Sequence, residues 1–303
     1  MSLPPTKLAN WPHADLAIAW EPVRGGFSGA AIYRGSIDGI LHFALKGWPL
    51  HVSGERIREL HRYQLALCSF PYIPKLELTH SGESAVIADG RIWELSHWMP
   101  GEPNRESPFP NAKRKAAVVA LQSIHGVWKE RFGTSLARYP AVLRRLALID
   151  DFQRWHGSNA SRSVDPILAT AMTRVPDELT DVSRRLHPWA AQRVPVQVCF
   201  TDIHRDHVLF TGDRVTGVID FGAAKVDSPA TDLARLFGEE PTSLIAAEAE
   251  YGDVPVGLAG TLAATAPACN LAAWILRIER DRELLADREA VARRIAGWVD
   301  RLG

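Results

Sequence analysis

Two carboxylates and one imidazole stand out in the second half of the sequence: Asp202, His207 and Asp220. They lie at the ends of two short apolar runs, residues 208–210 and 215–219, which flank a Thr-Gly-Asp turn. Apolar runs on either side of a turn that contains Gly are typical of a β-hairpin. Carboxylates and an imidazole held at strand ends are well placed to bind a divalent metal ion and a reacting hydroxyl group.

The order of these residues is similar to that of protein-kinase-like enzymes, with Asp202, then His207, then a hairpin, then Asp220 followed by Phe-Gly. The stretch resembles the small-molecule kinases of the aminoglycoside phosphotransferase and choline kinase superfamily. That family usually carries His-Gly-Asp-(x)4-Asn before its hairpin. In this sequence Phe200 and Thr201 replace the His-Gly pair, and His207 stands at the position of the Asn.

The resemblance implies an α+β fold of the bilobal, protein-kinase-like type. A small, antiparallel β-rich N-terminal lobe, residues 1–96, would bind the nucleotide. A larger and mainly helical lobe, residues 97–303, would carry the catalytic residues and, in a helical insertion at about 126–190, acceptor specificity. Enzymes of this kind move the γ-phosphate of ATP to a hydroxyl of a small molecule such as an aminoglycoside, choline or homoserine.

The resemblance also implies a role for each central residue. Asp202 would accept a hydrogen bond from the attacking hydroxyl, and Asp220 and His207 would bind Mg²⁺ ions that bridge the phosphates. Because imidazole suits softer metals than Mg²⁺, His207 suggests either Mn²⁺ or a metal-bound water that the imidazole holds. Asp232 matches a structural Asp that ties the following helix to the catalytic loop.

A glycine-rich loop lies between two short strand-like segments near the N-terminus, and its small residues are Gly25, Gly26, Ser28 and Gly29. Small residues let backbone N–H groups approach an anion closely, so such a loop can cover nucleotide phosphates, although most Gly-Gly pairs are only turns. Lys46 ends the third strand-like segment, where kinases carry the Lys that contacts the α and β phosphates.

The next segment, residues 53–68, has apolar residues at helical spacing, and Ser53 is a candidate N-cap. Glu55 and Glu59 are four residues apart and share a face of this helix. Either glutamate could pair with Lys46 and hold it toward the phosphates. The resemblance favours Glu59, whereas two solvated glutamates are the simpler interpretation.

Residues 92–101 end in Pro-Gly and resemble the connector between the lobes of these kinases. In the family, backbone groups of this extended segment contact the adenine edge. Here they would belong to His97, Trp98 and Met99. An ordinary strand that closes on a turn is the alternative interpretation.

The later part of the chain has the spacing of amphipathic helices divided by Pro and Gly. His125 lies on the apolar side of the first of them and is predicted to be a core residue. Helices are predicted at residues 112–128, 140–155, 166–174, 176–187, 229–236, 270–282 and 287–302.

Composition excludes several classes of protein. The chain of 303 residues has 35 basic and 35 acidic residues, which removes the charge signature of a dedicated nucleic-acid binder. Three widely separated cysteines and an N-terminus without an apolar run favour a cytoplasmic protein. The longest uncharged run, residues 254–276, is interrupted by Pro and Asn, so we expect a buried helix pair and no membrane span.

Two other functions remain open at this stage. The loss of the His-Gly pair and of the Asn is compatible with a nucleotide-binding pseudokinase or regulatory module. Separately, Asp202, His204, Asp206 and His207 have the spacing of a dinuclear zinc site in metallo-β-lactamase-like hydrolases. That fold needs further histidine ligands downstream, and the sequence has no histidine after His207.

Overall fold

The protein is described by a computed structural model that covers residues 9–12, 16–23, 29–158, 165–280 and 288–302. The chain forms two compact units. The first consists of Met1–Arg131 and Ile203–Ala224, and the second of Phe132–Asp202 and Lys225–Gly303. The division of the chain between residues 96 and 97 stays a prediction.

The first unit contains a five-stranded antiparallel sheet in the order β1-β2-β3-β5-β4. Successive side chains of a strand lie on opposite faces of the sheet, so every second residue can be buried. Phe43 and Leu45 on one strand, and Trp93 and Leu95 on the neighbouring strand, are buried together with Trp11. The strands are β1 (Ala19–Val23), β2 (Ala31–Ile37), β3 (Ile40–Gly47), β4 (Val86–Ala88) and β5 (Arg91–His97).

Two helices and a second sheet complete the first unit. Helix α1 (Gly54–Leu65) begins at the predicted N-cap, where Ser53 Oγ accepts a hydrogen bond of 3.2 Å from the backbone N–H of Arg56. Helix α2 is longer than predicted, and its histidine, His125, is buried as expected for a core residue. The remaining elements are α2 (Asn111–Phe132), β6 (Glu102–Pro103), β9 (Val208–Thr211) and β10 (Arg214–Val218), and the three strands form a sheet in the order β10-β9-β6.

The second unit is mainly helical, with one three-stranded antiparallel sheet in the order β11-β8-β7. Helix α5 begins at Ser228, whose hydroxyl caps it, and the residue after the cap is Pro, which is favoured there. The strands are β7 (Ser135–Arg138), β8 (Arg193–Cys199) and β11 (Lys225–Asp227). The helices are α3 (Pro140–Ser158), α4 (Pro166–Ala190), α5 (Pro229–Phe237), α6 (Pro241–Tyr251), α7 (Leu258–Arg280) and α8 (Arg288–Val299).

Two helix predictions are corrected by the structure. The separate helices predicted on either side of Pro176 form the single helix α4. The helix pair predicted in residues 254–276 is likewise one helix, α7, with Pro267 inside it. By length and composition α7 could cross a membrane, but 56% of its most apolar window is buried within the protein, as in a core helix.

The predicted α+β fold, with antiparallel strands in the N-terminal part and helices dominating the later part, is confirmed. The predicted hairpin is also present, because β9 and β10 pair in antiparallel fashion across the expected turn. This hairpin carries His207 just before its first strand and Asp220 just after its second.

Candidate active site

Lys46 lies near the end of β3 and points toward the segment that follows the hairpin. Its Nζ is 3.2 Å from Oδ1 of Asp220 and 4.1 Å from the centre of the Trp48 ring. Burial opposes the charge on Lys46, but the carboxylates of Asp220 and Glu94 outweigh that effect and raise the pKa of Lys46 above its usual value. The lysine therefore stays protonated at neutral pH.

Asp220 follows β10 in a left-handed backbone conformation, with φ of 62°. Its Oδ1 also accepts a hydrogen bond of 3.1 Å from the backbone N–H of Gly222. Burial alone would raise the pKa of Asp220, but Lys46, His207 and this backbone N–H lower it to about 2. The side chain is a carboxylate at any physiological pH, as a ligand for a cation has to be.

His207 ends a short 3₁₀ helix, Arg205–His207, immediately before β9. Its Nε2 is 3.7 Å from Oδ2 of Asp220, and its ring centre is 3.6 Å from that of His204. Burial is the main cause that lowers the pKa of His207 to about 4, and the neighbouring His204 adds to it. The ring is thus neutral at pH 7, and a neutral imidazole can act as a metal ligand.

Glu94 is a residue of this site that the sequence did not single out. It lies opposite Lys46 in the pairing of β3 with β5, and it accepts hydrogen bonds from Trp48 Nε1 (2.5 Å) and His61 Nε2 (2.7 Å). Burial would raise the pKa of Glu94, but His61 and Lys46 outweigh it and the pKa is lowered. A charged residue between the apolar residues Trp93 and Leu95 of β5 is the signal that could have identified it.

Glu59, the residue predicted as the partner of Lys46, makes other contacts in this structure. Its carboxylate accepts hydrogen bonds from Arg56 Nη1 at 2.5 Å and from the Tyr63 hydroxyl at 2.7 Å. Lys46 pairs instead with Asp220. The role of Glu59 toward a bound nucleotide stays a prediction.

The glycine-rich loop falls largely outside the described residues, which exclude Gly25, Gly26 and Ser28. Gly29 is described, and its φ of +78° is a conformation that glycine adopts without strain. Its carbonyl accepts a hydrogen bond of 2.9 Å from Arg91 Nη1. The proposed contact of this loop with phosphates stays a prediction.

The predicted connector follows directly from β5. The backbone N–H of His97 donates to the carbonyl of Lys75 (2.9 Å), and that of Trp98 donates to the carbonyl of His42 (2.8 Å). Met99 is 8% exposed. The backbone N–H groups of His97 and Trp98 thus already have partners, and the contact of this segment with a nucleotide base stays a prediction.

Asp202 belongs to the second unit, at the end of the loop after β8. The loop is held by Asp232 on α5, whose buried carboxylate accepts hydrogen bonds from the backbone N–H groups of Phe200 (2.8 Å) and Thr201 (2.7 Å). The predicted structural role of Asp232 is therefore confirmed. Thr201, which replaces the family's Gly, has a φ of 61°, in the left-handed region that favours glycine.

Arg235 is a second residue that the sequence did not single out. It lies one helical turn after Asp232, and its Nη2 donates a hydrogen bond to Oδ1 of Asp202. The Asp202 side chain is half exposed, at 52%, whereas that of Arg235 is 29% exposed. The same face of α5 thus holds both the backbone and the acidic side chain of this loop. The i, i+3 spacing from Asp232 is the sequence signal that could have found it.

Comparisons with known proteins agree on one fold. A model of the phosphotransferase enzyme family matches residues 19–260. No curated protein sequence matches the chain. Among solved structures, a spectinomycin phosphotransferase in complex with ADP and spectinomycin is 13% identical, with a TM-score of 0.68 over 95% of this chain and 93% of that one.

Two further solved structures share the fold. An amicoumacin kinase, in complex with AMP-PNP and Ca²⁺, is 11% identical, with a TM-score of 0.62 over 93% of this chain and 87% of its own. A macrolide 2′-phosphotransferase is 19% identical, with a TM-score of 0.58 over 91% of this chain and 90% of that one. The family model spans residues 202–207, on which the zinc-hydrolase hypothesis depended, so the match contradicts that hypothesis. Because the match extends over most of its length, the chain belongs to the phosphotransferase enzyme family and is a small-molecule kinase of the aminoglycoside phosphotransferase superfamily.

Proposed function

We propose that this enzyme transfers the γ-phosphate of ATP to a hydroxyl group of a small molecule. The ion pair between Lys46 and Asp220, residues 174 positions apart in the sequence, carries the proposal. Phosphoryl transfer has a loose transition state, so the protein mainly has to position the reactants and neutralise charge on phosphate oxygens. A lysine beside an ionised aspartate, with a neutral imidazole next to that aspartate, supplies groups for both tasks.

The nucleotide would be bound by residues of the first unit. Lys46 would contact the α and β phosphates, Gly25, Gly26, Ser28 and Gly29 would cover them, and the 97–99 segment would contact the base. Two solved structures of the same fold contain ADP or AMP-PNP, which supports a nucleotide as the phosphate donor.

A divalent metal ion fits the side chains of Asp220 and His207. The atoms Asp220 Oδ2 and His207 Nε2 are 3.7 Å apart, which allows both to reach one ion. When bound, Mg²⁺ would neutralise charge on the phosphate oxygens. Because Mg²⁺ prefers oxygen ligands and imidazole suits softer metals, the pair also favours Mn²⁺. The amicoumacin kinase structure contains Ca²⁺ together with its nucleotide analogue.

Asp202 would accept a hydrogen bond from the acceptor hydroxyl and orient its oxygen toward the γ-phosphorus. The new O–P bond forms as the bond between the γ-phosphorus and the β,γ-bridging oxygen breaks, and the products are ADP and a phosphorylated acceptor. The hydroxyl proton leaves through the Asp202 carboxylate. Phe200 and Thr201 keep this carboxylate in place through their bonds to Asp232.

A nucleotide-binding module without transfer activity is the alternative, and one observation favours it. Oδ1 of Asp202 is already bonded to Arg235, so an acceptor hydroxyl would have to share the carboxylate with a guanidinium. A module of this kind would bind ATP through the first unit and release no ADP.

The test is ADP formation from ATP with a panel of hydroxylated acceptors, read by a coupled enzymatic assay in Mg²⁺ and in Mn²⁺. We expect ADP formation that depends on an acceptor and that Asp202→Asn largely removes. ATP binding without acceptor-dependent ADP formation would support the alternative. Absence of ATP binding would contradict both functions.

A further inference from the structure

A chain of contacts between mainly buried side chains links Lys46 to helix α1 within the first unit. Lys46 and Glu94 are directly opposite each other in the pairing of β3 with β5, so their side chains project from the same face of the sheet. Trp48 follows β3 and is 5% exposed, and His61 on α1 is 2% exposed. The lysine proposed to contact the phosphates thus shares one region with a carboxylate, an indole and an imidazole.

The Trp48 ring connects Lys46 with Glu94. Lys46 Nζ lies over this ring, 4.1 Å from its centre, and Trp48 Nε1 donates a hydrogen bond of 2.5 Å to Glu94 Oε2. A Cβ atom at Gly222 would already lie 3.5 Å from the ring, so the ring is also confined on that side. The face of an indole attracts a cation more strongly than other aromatic rings do. The orientation of the Trp48 ring therefore helps to decide where the lysine ammonium lies.

His61 anchors the Glu94 carboxylate from helix α1. Its Nε2 is 2.7 Å from Glu94 Oε2, and its Nδ1 is 2.7 Å from Ser84 Oγ on the other side of the ring. Because an ionised carboxylate only accepts hydrogen bonds, Nε2 carries a hydrogen and donates it. The indole of Trp48 and the imidazole of His61 are therefore both donors to the same oxygen atom, which fixes the carboxylate between β3 and α1.

Two carboxylates act on the Lys46 ammonium. Asp220 contacts it at 3.2 Å, whereas Glu94 is joined to it through the Trp48 ring. Burial lowers the pKa of Lys46, but the charges of Asp220 and then of Glu94 raise it above its usual value. In the proposed function Asp220 also binds a metal ion, so its charge is shared. Glu94 keeps its own contacts to Trp48 and His61 and can hold the lysine independently of that ion.

Glu59, which the resemblance favours as the partner of Lys46, belongs to a different set of contacts. Its carboxylate accepts hydrogen bonds from Arg56 at 2.5 Å and from Tyr63 at 2.7 Å. Arg56 in turn donates to the carbonyl of Ala224 at 2.5 Å. Among the described residues, the hydrogen bonds of Glu59 thus lead to the segment after the hairpin, and none of them reaches the lysine.

We propose that Glu94 is the positioning residue for Lys46: anchored by His61, it fixes the plane of the Trp48 ring over which the lysine ammonium lies. This inference rests on the proposed function, since it takes Lys46 as the residue that contacts the phosphates. It assigns to β5 the role that the family resemblance gives to Glu59 on α1.

Nucleotide binding provides the first test. AMP-PNP is titrated calorimetrically in Mg²⁺ into each variant at a temperature at which circular dichroism shows it folded, so lost stability alone does not change the result. We expect Glu94→Ala to weaken binding roughly tenfold, because the Trp48 ring loses its partner. Glu94→Gln should stay within about threefold of wild type, because one amide oxygen can accept both N–H groups. Glu83→Ala removes an exposed glutamate of the same unit and is the matched control.

The indole N–H of Trp48 provides a second test, which needs no nucleotide. Its signal in a ¹H–¹⁵N spectrum is assigned by its absence in Trp48→Phe. An N–H bonded to a carboxylate resonates downfield, so Glu94→Ala should move the signal upfield. Lys46→Met should also shift it, because the ammonium leaves the face of the ring, whereas Glu83→Ala should leave it in place. A purely structural role of Glu94 would give no such link between Lys46 and the indole.

Several results would overturn the inference. They are equal AMP-PNP binding by wild type and Glu94→Ala, a larger loss in Glu59→Ala than in Glu94→Ala, or an indole signal that ignores Lys46→Met. If Glu94→Ala does not fold, Trp48→Phe replaces it in the binding test, since it keeps a ring but lacks the N–H, and binding equal to wild type counts in the same way. Wild type that binds no AMP-PNP contradicts the proposed function as well, whereas equal binding by wild type and variant counts against this inference alone.

Discussion

The Lys46–Asp220 pair in the first unit and the Asp202 loop in the second unit differ in how far they follow the family pattern. In the first, a strand-end lysine meets an aspartate after the hairpin, and both residues stand at positions that the resemblance had identified. In the second, Phe200 and Thr201 replace the His-Gly pair, and Arg235 bonds to the aspartate. Lys46 and Asp220, proposed to handle the nucleotide, therefore follow the family pattern, whereas the loop proposed to face the acceptor departs from it at Phe200 and Thr201.

The difference has a physical reason. A triphosphate and its metal ion make the same demands in every kinase, namely cations for phosphate oxygens and a carboxylate for the metal. Acceptors differ in charge and shape, so the groups around the receiving carboxylate have to differ as well. We therefore propose that substitutions near Asp202 reflect the acceptor and the transfer step, while those near Lys46 reflect nucleotide binding.

The largest effect is expected from Asp202→Asn. The amide cannot accept the hydroxyl proton, so turnover should fall by about 100-fold or more, while KM for ATP changes little. Steady-state ADP formation measures both quantities. Asp213→Asn, in the exposed hairpin turn, is the control. A loss smaller than roughly tenfold, or about 1.4 kcal/mol, would remove Asp202 from its proposed role.

Lys46→Met should produce the next largest effect. The change deletes the positive charge beside Asp220 and is expected to raise KM for ATP about tenfold or more, because a charged contact to phosphate is lost. Lys75→Met, which removes an exposed lysine, should leave KM for ATP unaltered. If KM for ATP is the same in Lys46→Met as in Lys75→Met, Lys46 does not contact the nucleotide. The proposed difference between the nucleotide and acceptor regions would then be wrong.

His207→Asn tests the one departure that lies on the metal side of the comparison. Asn restores the oxygen ligand usual in the family, so the ratio of activity in Mg²⁺ to activity in Mn²⁺ should rise severalfold, about three to ten times. Activity in a titration of each metal gives the ratio. His80→Asn, at an exposed position, is the control. Identical metal profiles for wild type and variant would exclude His207 from the metal site.

The smallest effect is expected from Thr201→Gly. A β-branched residue at a φ of 61° destabilises the folded state by about 1–3 kcal/mol. Glycine removes this strain, but it loses more backbone entropy on folding, which costs roughly 0.5–1 kcal/mol. The free energy of unfolding should therefore rise by about 1 kcal/mol, measured by urea denaturation. Gly212→Ala, at a φ of 60° in the hairpin turn, should have the opposite sign. A destabilised Thr201→Gly variant would show that the hydroxyl or methyl group of Thr201 matters more than its backbone strain.

Local sequence signals predicted much of the fold. The N-cap at Ser53 and the β9–β10 hairpin follow from residues that are close in the chain. The continuous helices α4 and α7 could not be predicted in the same way, because each contains a proline, which locally favours the end of a helix. In α4 the residues Leu168, Ala171, Val175, Leu179, Val182 and Leu186 form one buried stripe that continues past Pro176. Tertiary burial outweighs the local cost of the proline there.

The site was predictable to the extent that motifs define it. Lys46 and Asp220 were identified from their positions in motifs, and the structure brings them to 3.2 Å. Glu94 escaped notice because its position opposite Lys46 depends on the pairing of β3 with β5, strands that are not consecutive in the chain. Arg235 escaped notice for a similar reason, because it meets Asp202 through a contact between segments that are 33 residues apart in the sequence.

Binding of a nucleotide analogue tests the central claim most directly, because it needs no knowledge of the acceptor. AMP-PNP is titrated calorimetrically into wild type and Asp220→Asn, each with and without Mg²⁺. We predict that Mg²⁺ strengthens binding to wild type and that Asp220→Asn weakens the Mg²⁺-dependent binding roughly tenfold or more. Equal affinity of the two proteins for AMP-PNP in Mg²⁺ would contradict the assignment of Asp220 to the metal and nucleotide site.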